Sequence, residues 1–255
     1  MNHTPLTIAT WNIGGGILGE SHQRGVEPSL DYYARVLAAH RPDVVCLQEA
    51  HDYHGRREGQ AQYLARRAGY GYSVSFPTSG SHMAERASLA LGIVSRFPIQ
   101  DAVYKQFPNP GLKGAGPNGE RWKLHDKGYV VGQVDLGGRT LGLVNGHCFP
   151  LHHFGVSPTD PTFAPMWAML AADLVALGEA GPALAALDLN DARVGDLLAE
   201  ALCPGRYLSA FDRTPTTPAN RQKDHILYGQ AVRLLTTTVT PTESDHSYCQ
   251  ARFLV

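Results

Sequence analysis

Ala183-Leu184-Ala185-Ala186-Leu187-Asp188-Leu189-Asn190-Asp191 is the stretch around which this chain is organised. A short apolar run of this kind reads as a buried strand, and it stops in an acid, a spacer and an amide. The carboxyl end of such a strand, where the chain turns out of a sheet, is a usual place for chemistry. Side chains alternate along a strand, so Asp188 and Asn190 are expected on one face. The plain alternative is a cap, with Asn190 or Asp191 opening a helix over residues 192–202. Capping alone does not account for four other strand-like runs that end in the same kind of residue.

Working outward, residues 6–13 are rich in β-branched and aromatic side chains and read as a strand, with the amide of Asn12 as its one oddity. Helical spacing covers residues 30–40, and residues 44–49 form a second buried strand that closes in Glu49. A carboxylate ending a continuous apolar strand has to be exposed at the sheet edge or paired there. Residues 128–136 and 139–145 form a hairpin about Gly137-Gly138, and its second arm, from Leu141, runs on to His147. A short strand over 224–228 starts at Asp224, and Asp245-His246 precede a final strand over 248–255. Further strands are expected at 71–76, 89–95, 102–107 and 231–239, with helices at 56–68 and 166–177. Arg56, Arg57, Arg66 and Arg67 on the first of those helices read as a solvated face. Many strands alternating with a few helices predict an α/β fold of two packed sheets with helices outside, in one domain over residues 1–255.

The totals bound the class. In 255 residues, 43% are hydrophobic and 18% charged, enough to bury a full core. A net charge of −1 argues against a strongly basic nucleic-acid scaffold, though a local basic groove remains compatible with it. Cys46, Cys148, Cys203 and Cys249 lack the Cys-x-x-Cys spacing of a zinc site and read as free thiols in a reducing compartment. Residues 1–5 are short and polar, and no apolar run is long enough to span a bilayer, so a cytoplasmic protein without a membrane anchor is expected.

Asn12, Glu49, His147, Asp188, Asn190, Asp224, Asp245 and His246 all stand at strand ends or starts. If those ends converge, four carboxylates, two amides and two imidazoles share one site. So many acids require a cation or protonation. Oxygen ligands suit Mg²⁺ or Mn²⁺ better than zinc, and a hard cation beside an acid and protonated donors is equipment for phosphoester hydrolysis. The chain has neither a Gly-x-x-x-x-Gly-Lys-Ser/Thr loop nor a Gly-x-Ser-x-Gly elbow, which removes support for nucleotide-driven phosphoryl transfer and weakens an esterase reading. The Pro/Gly-rich stretch 109–127 carries Lys113, Arg121, Trp122, Lys123, His125 and Lys127; Arg121, Trp122 and Lys127 are candidate contacts to a phosphate and a base or sugar. His152 and His153 have no carboxylate or Cys partner nearby in sequence and are not read as a metal site.

Six segments in order resemble the motifs of the endonuclease/exonuclease/phosphatase superfamily: Thr10-Trp11-Asn12-Ile13, Leu47-Gln48-Glu49, Asn145-Gly146-His147, Asp188-Leu189-Asn190, Asp224-His225-Ile226-Leu227 and Ser244-Asp245-His246. Ser95-Arg96-Phe97-Pro98-Ile99 is similar to its strand-ending segment, and the likeness runs from residue 7 to residue 250. The resemblance implies a four-layer α/β sandwich: two packed mixed β-sheets, helices on the outer faces, and a divalent-metal site at one edge. It implies Glu49 as main metal ligand with Asn12 and Asp245 completing the shell, and Asp188 orienting or deprotonating water. Asn190 would donate to phosphate or fix Asp188. His246, paired with Asp224, would donate to a non-bridging oxygen, and His147 would be a second donor or the leaving-group acid. Two departures stand out. Leu187 occupies the place where the family usually has glycine, which would narrow the approach of backbone to substrate. His147 resembles the deoxyribonuclease and sphingomyelinase pattern, whereas abasic-site endonucleases have tyrosine there. The resulting expectation is a Mg²⁺- or Mn²⁺-dependent phosphoester hydrolase, first a nucleic-acid phosphodiesterase acting on DNA or RNA. The alternatives are an enzyme of small-molecule or lipid-headgroup phosphoesters, and a non-catalytic binding module on the same fold.

Overall fold

The computed structural model describes residues 4–19, 26–116 and 119–255, so parts of the short polar stretch 1–5 and of the expected loops 14–28 and 109–127 lie outside the described residues. In order the elements are β1 (Pro5–Asn12), α1 (Leu30–His40), β2 (Val44–Asp52), α2 (Gln60–Ala68), β3 (Tyr72–Gly80), β4 (Ser88–Ser95), β5 (Ile99–Gln106), β6 (Lys113–Ala115) and β7 (Arg121–Lys123). There follow β8 (Gly128–Asp135), β9 (Thr140–His147), α3 (Ala164–Ala180), β10 (Ala183–Asp188), α4 (Val194–Leu197), β11 (Tyr207–Ser209), β12 (Asp224–Gly229), β13 (Arg233–Thr240) and β14 (Tyr248–Leu254). One six-stranded sheet has the order β13-β14-β1-β2-β4-β3 and the other β11-β12-β10-β9-β8-β5, both mixed, with β6 and β7 forming a separate ribbon.

The period-two pattern of β10 explains the layering. Leu184 and Ala186 face inward and meet Ile8, Val44 and Leu91 of the first sheet, while Ala183, Ala185 and Leu187 face outward into Leu170 and Leu174 of α3. On the far side Trp11, Val45 and Leu47 pack against Tyr33 and Leu37 of α1 and Leu64 of α2. The central strands are buried on both faces, which is why they are continuous apolar runs rather than alternating ones. This is the four-layer α/β sandwich that the sequence leads one to expect.

Three helices differ from expectation. The helix expected at 56–68 starts at Gln60, because Gly59 before it is extended and Arg57 instead stacks over Tyr53 at 3.6 Å. The helix expected at 192–202 is the single turn α4, with Asp191 bonded to the backbone and side chain of Arg193 and Gly195 inside it. Residues Pro161–Ala180 are long and apolar enough to cross a membrane by length and composition, contrary to the expectation that no such segment exists. The apolar face of this segment is nevertheless committed, since Met166, Trp167, Leu170, Ala171 and Leu174 are buried against the second sheet. All four cysteines are free.

Behind the site the two sheets are tied by polar bonds. The β2–β4 register slips between Leu47 and Ala50, a bulge that bends the ladder locally. Asn145 on β9 donates to the carbonyls of Leu47 (3.1 Å) and Gly92 (2.8 Å) and accepts from Gln48 Nε2 at 2.8 Å. Asn145 and Gln48 are fully buried, so Asn145→Ala leaves buried groups without partners. Denaturant unfolding should show a loss of about 3 kcal/mol; a loss below about 0.5 kcal/mol would mean that the sheets are not held this way.

Candidate active site

Register places the functional side chains at one height. In the second sheet Asp188 is paired with His147 on the parallel neighbour β9 and with Asp224 on the antiparallel neighbour β12. In the first sheet Asn12 ends β1 opposite Gln48. Glu49 does not close its strand as expected; β2 runs on to Asp52, and Glu49 sits in the bulge at a positive φ of 53°. The bulge re-aims a carboxylate that regular pleating would place elsewhere.

Asp188 is the hub of the cluster. It is fully buried, accepts from Asn12 Nδ2 at 3.0 Å and from the backbone N–H of Asn190 at 2.9 Å, and lies 3.5 Å from His147 Nε2 and 3.9 Å from His246 Nε2. Burial alone would raise its pKa, but His147, His246, Lys223 and the Asn12 bond together hold the carboxyl below its usual range. Asn190 does not share the strand face of Asp188. The strand has ended, Asn190 adopts a left-handed φ of 56°, and its side-chain amide donates to the carbonyl of Cys148 at 3.1 Å.

The two histidines are in opposite states. His246 Nδ1 lies 2.9 Å from Asp224 Oδ2, and although burial opposes its charge, Asp224 and Asp188 push its pKa up to about 9. Burial pushes Asp224 up as well, against the pull of His246, so the pair keeps its proton through neutral pH. The backbone of His246 is fixed by Trp11 Nε1 at 3.3 Å and Thr242 Oγ1 at 2.7 Å, both donating to its carbonyl. In contrast, burial and the adjacent Lys127 lower His147 to about 4. Lys127 Nζ lies 3.0 Å from Nδ1 and 3.2 Å from Nε2 of His147, and Nε2 is also 3.5 Å from Asp188 Oδ2. Held low by burial and Lys127, His147 is the neutral counterpart of the charged His246. Environments that push like groups apart in this way mark the charged donor and the neutral one.

Asn12, Glu49, Lys127, His147, Asn190, Asp245 and His246 line one cavity of about 690 Å³. Asp188 and Asp224 stand one hydrogen bond behind its wall. Asp245 and His246 both face the cavity because the chain turns between β13 and β14 rather than staying extended. Arg121 and Trp122 line the same cavity from β7. Thus the structure brings together all the site residues read from the sequence. It adds others that the sequence reading left without a role: His82 and His125, whose rings lie 5.2 Å apart, His153, and Lys223 next to Asp224. Their only sequence signal is position beside a motif or inside a long loop. His152 and His153 stack at 4.1 Å and are not part of the acid cluster. The departure at Leu187 is absorbed. That side chain points away from the cavity into α3, and Gly146 on β9 makes the room, since a Cβ there would sit 2.7 Å from Leu187 Cδ2.

Two groups of donors bear on a cation. Among the described residues, Asp188, Asp224 and His246 bring ligand atoms within 4.8 Å of one another and could hold a metal ion. His246 Nδ1 is already engaged by Asp224, however, and neither carboxylate reaches the cavity surface. Glu49 and Asp245 with the carbonyl of Asn12 are an oxygen set that opens on the cavity and suits a hard divalent ion. The Asn12 carbonyl also accepts from Gly14 N–H at 3.0 Å, which leaves it one lone pair. Burial would raise Glu49, yet Lys127 (Nζ–Oε1 3.1 Å), His147 and His82 keep it ionised, so the Lys127 ammonium already sits where a cation would bind beside this carboxylate. Lys127→Met should lower the Tm of the metal-free protein, in line with a loss of about 3 kcal/mol for an unpaired buried carboxylate. It should also enlarge the rise in Tm on adding Mg²⁺; an unchanged Tm in EDTA would contradict the pairing.

The model of the Endonuclease/Exonuclease/phosphatase family matches residues 9–246. Among solved structures, an endonuclease/exonuclease/phosphatase from Beutenbergia cavernae is 18% identical at a TM-score of 0.73, covering 98% of this chain and 72% of that one. ANGEL2, a 2',3'-cyclic phosphatase, is 14% identical at a TM-score of 0.66, with 100% and 96% covered. D. rerio TDP2 complexed with single strand DNA product is 18% identical at a TM-score of 0.61, with 98% and 99% covered. At these identities the likeness is one of fold. No curated protein sequence matches the chain significantly.

Proposed function

This chain belongs to the endonuclease/exonuclease/phosphatase family, and we propose that it is a divalent-metal-dependent phosphoester hydrolase in which water attacks phosphorus. The observation that supports this reading is a chain of close approaches at one cavity: His147 Nε2 lies 3.8 Å from Glu49 Oε1 and 3.5 Å from the buried Asp188 Oδ2, and His246 Nε2 lies 3.9 Å from that same Asp188 oxygen. Glu49, with Asn12 and Asp245, would hold Mg²⁺ or Mn²⁺, which supplies Lewis-acid stabilisation of the phosphoryl oxygens when bound. Asp188 fixes the Asn12, His147 and His246 side chains around it and would orient or deprotonate the attacking water. The imidazolium of His246, kept charged by Asp224, donates to a non-bridging oxygen as negative charge develops. His147 would be a second donor to the phosphate or the leaving-group acid, and the Asn190 N–H, donating to Asp188 Oδ1, closes the turn that aims Asp188.

Nucleic acid is the first substrate class. Arg121, Lys127 and Lys223 offer positive charge beside Trp122 in the same cavity, and the TDP2 neighbour is described with single strand DNA product. A small phosphoester is the second reading, favoured by the bounded cavity and by the cyclic phosphatase among the neighbours. The test is a hydrolysis panel of single-stranded and duplex oligonucleotides, nucleoside monophosphates, cyclic phosphates, an inositol phosphate and a choline phosphodiester, each with Mg²⁺, Mn²⁺ or EDTA. Turnover with metal and none in EDTA is the expected result. No turnover of any phosphoester with either metal would overturn the proposal and revive a non-catalytic role.

A further inference from the structure

The catalytic edge of the sheets lines part of the cavity, and β7 of the β6–β7 ribbon lines another part. Three-residue strands pair Lys113 with Lys123 and Ala115 with Arg121, which holds residues 121–123 extended. The ribbon is tied at its base, where Leu124 N–H donates to the Leu112 carbonyl at 2.9 Å and Asn109 bridges to the Leu124 carbonyl and Asp126. It rests on the turn Leu151–Phe154: a Cβ on Gly114 would lie 3.2 Å from the Phe154 ring, so that position is close-packed. Trp122 meets His153 edge to face, with centroids 5.3 Å apart, and both rings line the cavity with Phe154. Arg121, Lys123 and Lys223 belong to the same lining, as does Glu120, whose Oε1 accepts from Trp122 Nε1 at 3.1 Å.

This arrangement has a consequence for what can enter. A volume of about 690 Å³ is enough for one nucleotide-sized ligand. Planar rings framed by cations are how proteins hold unstacked bases. Inside a duplex the bases are paired and stacked on one another, so only a terminal pair could lie against Trp122. Resting on the reading of this cavity as a phosphoester site, we propose that the ribbon wall formed by Trp122, His153 and Phe154 is a base-binding subsite, so that the substrate is a nucleotide-sized phosphoester with an unpaired base: a free nucleotide or the end of a single strand.

The test is binding rather than turnover, on the whole wild-type protein in EDTA. The probes are a nucleoside monophosphate, ribose 5-phosphate, a single-stranded oligonucleotide and a blunt duplex of the same sequence, titrated calorimetrically and by tryptophan fluorescence. Of the three tryptophans, Trp11 and Trp167 are buried in the two helix-facing cores, so quenching reports on Trp122. The nucleoside monophosphate or the single strand should bind at least about tenfold tighter than ribose 5-phosphate and the duplex, with quenching. A monophosphate as tight as the oligonucleotide identifies the free nucleotide; a clear preference for the oligonucleotide identifies the strand end. Trp122→Ala should erase the preference, and Trp122→Phe should restore it without the fluorescence change. Equal affinity for ribose 5-phosphate and the nucleotide, tightest binding to duplex, or an undiminished preference in Trp122→Ala would each overturn the subsite. Hydrolysis of small phosphoesters without base preference would remove the subsite and leave the hydrolase; base-dependent binding without hydrolysis would do the reverse.

Discussion

Asp188→Asn should lower kcat by about 10²- to 10⁴-fold with the fold intact, the range that loss of a positioned acid–base group produces. The substitution is isosteric, so the backbone bond from Asn190 and the packing of β10 can persist. What changes is charge at the hub. Asp188 Oδ2 receives Asn12 Nδ2 and faces Nε2 of both His147 and His246. An amide there cannot accept from all three, and half of its orientations set N–H against N–H. The imidazolium of His246 also loses one of the two carboxylates that hold its proton, so its pKa should fall toward the ordinary value. Steady-state kinetics combined with a histidine NMR titration check both parts. A drop in KM alone, or an activity within tenfold of wild type, would remove Asp188 from the chemistry.

Glu49→Gln is expected to have the second large effect, on the cation. A carboxylate in a bulge at positive φ is an unusual conformation that costs on the order of 1–3 kcal/mol, and such strain persists where the surroundings over-determine it. Here the surroundings are Lys127 and His147, both within 4 Å of the same oxygen, Oε1. Changing Glu49 to an amide keeps the shape and removes the charge that attracts a divalent ion. Calorimetric affinity for Mg²⁺ or Mn²⁺ should fall by more than the ~10–100-fold that loss of an outer-shell partner costs. The same variant should tolerate the loss of Lys127 better than wild type, since Lys127 then has no buried anion to neutralise. Unaltered metal affinity in Glu49→Gln would move the cation to the Asp188, Asp224 and His246 group instead.

The architecture was legible because its central strands are long, apolar and two-sided; residues 183–188 and 44–47 could hardly be anything but buried strands. The convergence of Asn12, Glu49, His147, Asp188, Asp224 and His246 was legible for a related reason. Each sits where an apolar run stops, and in mixed sheets the register carries those stops to a common edge. What the sequence could not reveal is non-local. The bulge at Glu49 arises from the pairing of β2 with β4, some forty residues away in the chain, so the strand seemed to end where it only bends. Asn190 fell outside the period-two rule because a left-handed residue ends the strand before it. Asn145 stood in a motif without a role, since its bonds run to carbonyls of the other sheet. The β6–β7 ribbon was hidden in a Pro/Gly-rich stretch, as strands of three residues carry too little periodicity to register. Helix α4 was overestimated because an alanine- and leucine-rich run outvoted Gly195 in the pattern.

The measurement that bears most directly on the whole proposal is hydrolysis in ¹⁸O-labelled water with Mg²⁺, Mn²⁺ or EDTA, using whichever phosphoester of the panel turns over fastest. The expected result is ¹⁸O in the phosphate-bearing product, with either metal, and no turnover in EDTA. Label in the alcohol product, or metal-independent turnover, would contradict attack of water at phosphorus in a site built on Glu49, Asp188 and His246.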